Sequence, residues 1–351
     1  MVAQAQANAS SLAELDYPFE AQAVGTCQEV APGLLWVRMP LPFALDHINL
    51  WLLADRELWT LVDCGLGTPT TRALWEEIFA RDLAGRAIGR VIVTHYHPDH
   101  MGLAGWFSER LNLVPWMTKA EFLTAHAACH SVGGTGFARV REFYMRHGLA
   151  PARLEAAGVK DGTYRRGVEP LPDTFRRIKH GDRIAINDQS WRVIVGYGHA
   201  PEHAALYNER AGVLVSGDML LPRISTNVSV WPVEPDGDPL GDFLESIDQF
   251  SELDPGALVL PSHGRPFRGI QTRVAQLKAH HAERLDALAQ VCDSEKTAAE
   301  LLPALFRREF KDYQLLFAMG ETIAHLNHLW HRGVLQRVAG PDNVWRFVRA
   351  R

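Results

Sequence analysis

Thr94-His95-Tyr96-His97-Pro98-Asp99-His100 closes the apolar run Arg90-Val91-Ile92-Val93, so three imidazoles and a carboxylate crowd the end of what reads as a buried strand. Side chains alternate from face to face along a strand, which sends His95 and His97 the same way. The turn that follows swings Asp99 and His100 toward a second point close by. One short segment can therefore feed two adjacent metal ions. A polar loop whose histidines merely cluster is the other reading, but imidazoles and a carboxylate this dense favour a shared ligand.

Four more stretches share this construction, an apolar strand closed by polar residues. Upstream lies Trp59-Thr60-Leu61-Val62-Asp63-Cys64-Gly65. Downstream come Gly196-Tyr197-Gly198-His199-Ala200-Pro201-Glu202-His203, then Leu214-Val215-Ser216-Gly217-Asp218, then Leu258-Val259-Leu260-Pro261-Ser262-His263-Gly264. In this order, over roughly residues 34 to 266, the chain resembles the metallo-β-lactamase-fold hydrolases, whose hallmark is His-x-His-x-Asp-His after a strand.

The resemblance implies an α/β (α+β) fold, a four-layer αββα sandwich of two facing mixed sheets with helices outside. It also implies a binuclear centre. His95, His97 and His199 would hold one metal, Asp99, His100 and His263 the other, and Asp218 would bridge them. Two divalent ions about 3.5–4 Å apart trap a hydroxide between them, which would be the nucleophile. Asp99 would orient that hydroxide and Asp63 would support a ligand histidine from behind; a turn cap is the plainer role for Asp63. His203 would either donate to an oxyanion or leaving group or brace the His199 loop. Mixed nitrogen and oxygen donors suit zinc, with iron or manganese as alternatives. No organic cofactor is implied. Departures narrow the family: His97 stands where flavodiiron proteins carry Glu, and Asp218 where the commonest zinc β-lactamases carry Cys. Met101-Gly102 replaces a frequent Gly pair, an expected change in the turn or a pocket wall.

Composition agrees with an enzyme of this kind. The chain has 351 residues, 47% hydrophobic and 22% charged, enough for a large core plus an appendage. A net charge of -5 supplies no bulk attraction to nucleic acid or an anionic membrane. Cys27, Cys64, Cys129 and Cys292 stand far apart and read as isolated thiols. Met1 to Asp16 has neither a basic start nor an apolar core, and no run approaches the ~20 apolar residues of a membrane span. The expectation is a cytoplasmic protein with a flexible tail over residues 1–20.

Strands are expected at Leu34–Met39, Ile48–Leu53, Trp191–Val195, Ala205–Tyr207 and Gly212–Val215, with a helix over Thr70–Ala80. A catalytic domain would span 21–268, with a helical insertion at about 115–177 carrying helices at Met117–Ala128 and Phe137–His147. The insertion is either decorative or a lid hinged at Gly133-Gly134-Thr135-Gly136. His126, His130 and His147 lie outside every motif and read as non-ligands. Beyond Pro266, helices at Gln271–Cys292, Thr297–Phe306 and Tyr313–Gly333 precede a hairpin, so residues 269–351 resemble a winged-helix appendage. Its last helix carries little fixed positive charge, and Arg307, Arg308 and Lys311 make only a modest basic cluster, which favours packing or homodimer formation over nucleic acid. A small ester, thioester or lactone is the expected substrate, favoured by Met219, Leu220, Leu221, Ile224 and Trp231 unless these are core. The alternatives are a phosphodiesterase or endoribonuclease, and a metal-stabilised binding protein without turnover.

Overall fold

The computed structural model describes residues 14–158, 160–307, 310 and 314–350. Its strands are apolar on both faces, which only a sheet covered on two sides can bury. In β3, Ile48, Leu50 and Leu52 enter one apolar cluster while Trp51 and Leu53 enter another. Downstream, Ala204 and Leu206 share the second cluster, and Ala205 and Tyr207 turn into a third. Three apolar layers thus separate four layers of secondary structure, the αββα sandwich.

The first sheet holds seven strands in chain order: β1 (Cys27–Ala31), β2 (Leu34–Pro40), β3 (His47–Asp55), β4 (Leu58–Val62), β5 (Ala87–Ile92), β6 (Trp116–Met117) and β7 (Arg176–Arg177). The second runs β12-β11-β10-β9-β8, formed by β8 (Arg183–Ile186), β9 (Gln189–Gly196), β10 (His203–Asn208), β11 (Val213–Gly217) and β12 (Leu258–Pro261). In each sheet a parallel pair leads into polar motifs, β4 with β5 and β11 with β12; in the first sheet β6 and β7 continue the parallel run. Ligand sites collect beyond the carboxyl ends of parallel strands. At that end the sheets are tied directly: the Asn49 amide donates to Ser262 O at 2.7 Å and the Ala204 amide to Thr94 O at 2.9 Å. Asn49 Nδ2 also reaches Pro261 O and Gly264 O, and the Trp36 indole fixes its oxygen.

Helices α1 (Pro69–Arg81), α2 (Pro98–Met101) and α3 (Ala104–Leu111) lie on the first sheet's side. Thr68 caps α1, and Pro69 opens it with a preset φ. The insertion carries α4 (Lys119–His130), α5 (Phe137–Arg146) and a short α6 (Pro151–Ala156). Its two ends are not helical: they are β6 and β7, which extend the first sheet. A strand reading Arg176-Arg177 carries no apolar signal; it stays in place by backbone pairing and by Arg176 stacked 4.0 Å over Trp116. The expected hinge loop is anchored, since Thr135 Oγ1 donates to Ala127 O and Gly134 packs against Val233.

The second sheet is covered by α7 (Pro239–Asp248), α8 (Ile270–Val291), α9 (Ala298–Leu305) and α10 (Gln314–His331), followed by the hairpin β13 (Leu335–Ala339) and β14 (Trp345–Arg349). One apolar cluster runs from Leu214 and Val259 through Phe243 and Ile247 to Met319, Ile323 and Phe347. The carboxyl-terminal helices therefore share the sandwich core. In α10, 14 of 18 residues are buried, so it offers no free face to insert in a groove. Of the basic cluster, Arg308 and Lys311 lie outside the described residues, as does Tyr313. The tail expectation needs correction for its described part: Leu15 enters the core, Tyr17 packs beside it and Asp16 O accepts from the Arg268 amide. No helix among the described residues is long and apolar enough to cross a membrane.

Several histidines are buried or half-buried around this cluster. Burial pushes His147 and His280 down to about 4 and His325 to about 3. A folded pKa below the unfolded one favours the neutral form, so the stability tied to these groups is present above about pH 6.5 and lost as pH falls toward 4. Urea unfolding at pH 7 and pH 4.5 should differ by about 2 kcal/mol or more for each of His147 and His325. A flat profile across that range would contradict their neutral burial.

Candidate metal centre

The edge where both parallel pairs end collects every expected ligand. His95 and His97 follow β5, and Asp99 and His100 stand on the single turn of α2. His199 sits in the turn between β9 and β10, Asp218 directly follows β11 and His263 lies two residues past β12. Three groupings bring one donor atom per residue within 4.8 Å: His95, His97 and His199; His95, His100 and Asp218; Asp99, His100 and His263. Asp218 stands between them. Its Oδ2 is 3.4 Å from His199 Nε2, while Oδ1 is 3.5 Å from His100 Nε2 and 3.4 Å from His263 Nε2. Asp99 Oδ2 lies 3.5 Å from His263 Nε2.

Proton accounting decides what this cluster can hold. His199 Nδ1 faces Asn227 O at 2.7 Å and His263 Nδ1 faces His47 O at 2.8 Å, so both nitrogens carry the proton and donate. His100 Nδ1 donates to Asp63 Oδ2 at 2.8 Å. The Thr94 hydroxyl gives its one proton to the same carboxylate, which makes its oxygen the acceptor for His95 Nδ1 at 3.0 Å. In all four rings Nε2 is the nitrogen not engaged by a partner behind it, and all four point inward to where a metal ion, or in His100 and His263 a proton in its place, would sit. His95 Nε2 and His199 Nε2 stand only 3.2 Å apart with no proton to share. His100 Nε2 and Asp218 Oδ1 are buried without a hydrogen-bond partner. Converging lone pairs and orphaned buried acceptors are costly alone and satisfied by a cation, so this donor set fits divalent metal.

Asp63 lies behind this layer. Its carboxylate also accepts the Thr94 amide at 2.8 Å, and its backbone takes the left-handed conformation at φ 62°, which Asp tolerates better than most residues. Burial lowers the pKa of His100, but Asp63, Asp218 and Asp99 together hold it well above the usual histidine range. Burial likewise opposes the Asp218 charge, and His263 and His100 outweigh it, keeping that carboxyl well below the usual range. His203 is fully buried, and its Nε2 accepts the Asp218 amide at 3.1 Å. That bond braces the Asp218 turn. Gly217 is required there, because a Cβ would come 2.3 Å from that imidazole.

Other expectations shift with packing. Met101 is buried in the first sheet's core, and a Cβ on Gly102 would come within 2.3–2.6 Å of the surrounding backbone, which is why glycine stands there. Met219, Leu220 and Leu221 are core residues. His126, His130 and His147 join no metal grouping among the described residues.

Residues without a motif complete the site. Glu121 of α4 is fully buried; Oε2 accepts the Tyr96 amide at 2.9 Å and Oε1 the Glu202 amide at 2.6 Å. Burial raises this carboxyl to about 7 against the pull of the two amides. Asn227 and His47 supply the carbonyls behind His199 and His263. Only a buried acid in an otherwise ordinary amphipathic helix could have drawn attention to Glu121. Backbone carbonyls carry no residue signal at all.

Residues 44–263 match a family model described as Metallo-beta-lactamase superfamily, and residues 285–350 one described as Metallo-beta-lactamase-like, C-terminal domain. The fold superposes with a TM-score of 0.89 on a Beta-lactamase domain protein from Burkholderia ambifaria, 47% identical, covering 96% of this chain and 98% of that one. It superposes at 0.77 on the metallo-beta-lactamase family protein TTHA1429 from Thermus thermophilus, 33% identical, covering 92% and 100%. The chain is 27% identical over 306 residues to the probable metallo-hydrolase YqjP of Bacillus subtilis (strain 168), covering 84% of this chain and 91% of YqjP.

Because Asp63 fixes both the tautomer and the orientation of His100, Asp63→Ala should weaken metal binding ~10- to 100-fold in chelator competition. Wild-type affinity in that variant would remove Asp63 from the site.

Proposed function

The chain belongs to the metallo-beta-lactamase superfamily, and from that premise we propose that it is a binuclear metallo-hydrolase acting on a small ester, thioester or lactone. Metal-dependent hydrolysis itself is the shared activity class of the family. The observation that carries the binuclear reading is Asp218, whose two oxygens face two different sets of imidazoles. On this reading His95, His97 and His199 would hold one ion, Asp99, His100 and His263 the other, and Asp218 would serve both. Mixed nitrogen and oxygen donors, with no thiolate among them, suit zinc. Divalent ions there supply Lewis acidity, which makes a water more acidic and polarises a substrate oxygen.

The chain's own residues supply the rest. Asp99 keeps 21% side-chain exposure, the most open of the site's three carboxylates, and is placed to accept a hydrogen bond from the attacking water and orient it. Asp63 feeds negative charge to His100 through its proton, and His203 holds the Asp218 turn still. Apolar surroundings support an acyl substrate. The loop that starts at Asn227 behind His199 carries Trp231, packed edge-on to Phe317, and Val233, which is 59% exposed. A site for a polyanionic substrate favours cationic side chains beside the reacting centre. Neither Asp99 nor Asp218 has a Lys or Arg partner among the described residues. Burial of α10 likewise weighs against a nucleic-acid substrate.

Zinc-loaded protein offered p-nitrophenyl acetate, an acyl thioester, a lactone, bis-p-nitrophenyl phosphate and single-stranded RNA should turn over the acyl compounds best. RNA cleavage with steep salt dependence would reverse that ranking. Asp218→Ala should lose bound metal and turnover together, at least ~100-fold in kcat/KM, while His126→Ala changes neither; an active Asp218→Ala protein would refute the bridging role.

A further inference from the structure

The insertion between β6 and β7 holds two loops that come from different sheets. Tyr96 lies between His95 and His97, after the first sheet's β5; Glu202 closes the His199 turn, ahead of the second sheet's β10. Glu121 accepts the amides of both, one on each carboxylate oxygen. Its neighbours finish the grip. Thr118 Oγ1 donates to Glu202 O at 2.8 Å, the Ala120 amide reaches the Glu202 carboxylate at 3.1 Å, and the Tyr164 hydroxyl donates to Tyr96 O. Both backbone polar groups of Tyr96, and both of Glu202, are thus satisfied by residues 118–164.

We propose that Glu121 is a positioning residue for the metal position formed by His95, His97 and His199, setting the distance between the first sheet's histidine pair and the second sheet's single histidine. This rests on the binuclear reading above. The carboxylate is suited to the task because it offers two acceptors at a fixed separation, and each amide needs one. The other position is independent of it: Asp99 and His100 stand on α2, held by Asp63 and by the Cys64 amide on His100 O, and His263 is held by His47. The insertion then acts neither as ornament nor as lid. It is the frame of one half of the centre.

Glu121→Gln keeps the size but turns an amide NH2 toward one of the two N–H groups, leaving one donor buried and unpaired. Zinc titration against a chelator, with metal content after dialysis, reads the two positions separately. Wild-type protein should bind two ions per chain. Glu121→Gln should keep one at wild-type affinity and bind the other ~10- to 100-fold more weakly, with the cobalt-substituted absorption spectrum reduced to that of a single site. Glu121→Asp, which keeps the charge but is one methylene short, should show the same split more mildly and serves if the Gln variant does not fold. Glu300→Ala, which breaks the capping box of α9, is the control: it should lower Tm and leave both affinities unchanged. Two ions held at wild-type strength by the Glu121 variants, or both weakened equally, would overturn the inference. A wild-type protein binding one ion or none would instead overturn the binuclear reading beneath it.

Discussion

Two sheets locked together at one edge are the constraint on which the site depends. No single strand pair carries enough donors: the first sheet brings His95, His97, Asp99 and His100, the second His199, Asp218 and His263. Their convergence requires the carboxyl ends of β4 and β5 to sit in close register beside those of β11 and β12. The amide of Asn49 on Ser262, the amide of Ala204 on Thr94 and the Asn49 side chain on the β12 turn enforce that registry. Below them, Trp36, Trp51, Val62, Ile92, Val193, Val215 and Leu260 form the apolar layer that resists sliding. Side chains packed to crystal-like density leave the sheets little freedom to shift.

Such rigidity is needed because the centre is locally unfavourable. Four imidazole nitrogens and two carboxylates face one another in a largely buried place. The imidazoles of His95, His100, His199 and His263 are each held there from behind, by a hydroxyl, a carboxylate or a backbone carbonyl that faces Nδ1. A flexible set of side chains would rotate away and solvate. Functional sites commonly depart from locally optimal structure in this manner, with the surrounding packing supplying the compensation. The left-handed backbone of Asp63, in the middle of that support, is one visible instance.

The helical additions take part in the same arrangement. Glu121, Thr118 and Tyr164 fasten the histidine loops from the insertion side. From the carboxyl-terminal side, the Val230 amide donates to Gly320 O in α10, where a Cβ would meet Ser229 at 2.8 Å. Through that close approach α10 supports the loop whose Asn227 carbonyl orients His199. The wing-like hairpin and its helices are accordingly a wall of the sandwich, continuous with its core.

Legibility in the sequence followed from how local each signal is. Strand ends with paired polar residues, such as His95 to His100, are set by alternation and by the turn immediately after, so a candidate metal-binding segment was legible locally, whereas the full ligand set and the sandwich were implied by the resemblance that the order of motifs carries. Strands β2, β3 and β9 and helices α1, α8 and α9 were legible for the same reason: their apolar period is written in neighbouring residues. Strand β7 was not, since Arg176-Arg177 is extended only because Trp116 and the sheet edge lie beside it. Nor were Glu121, Asn227 and His47, whose contacts span 25 to 216 residues of chain. The sequence by itself determined which atoms could bind a metal, because donor chemistry belongs to the residue. Only the tertiary structure decided how those atoms are aimed and protonated, because the partners that fix each imidazole come from distant segments joined by the packing of the two sheets.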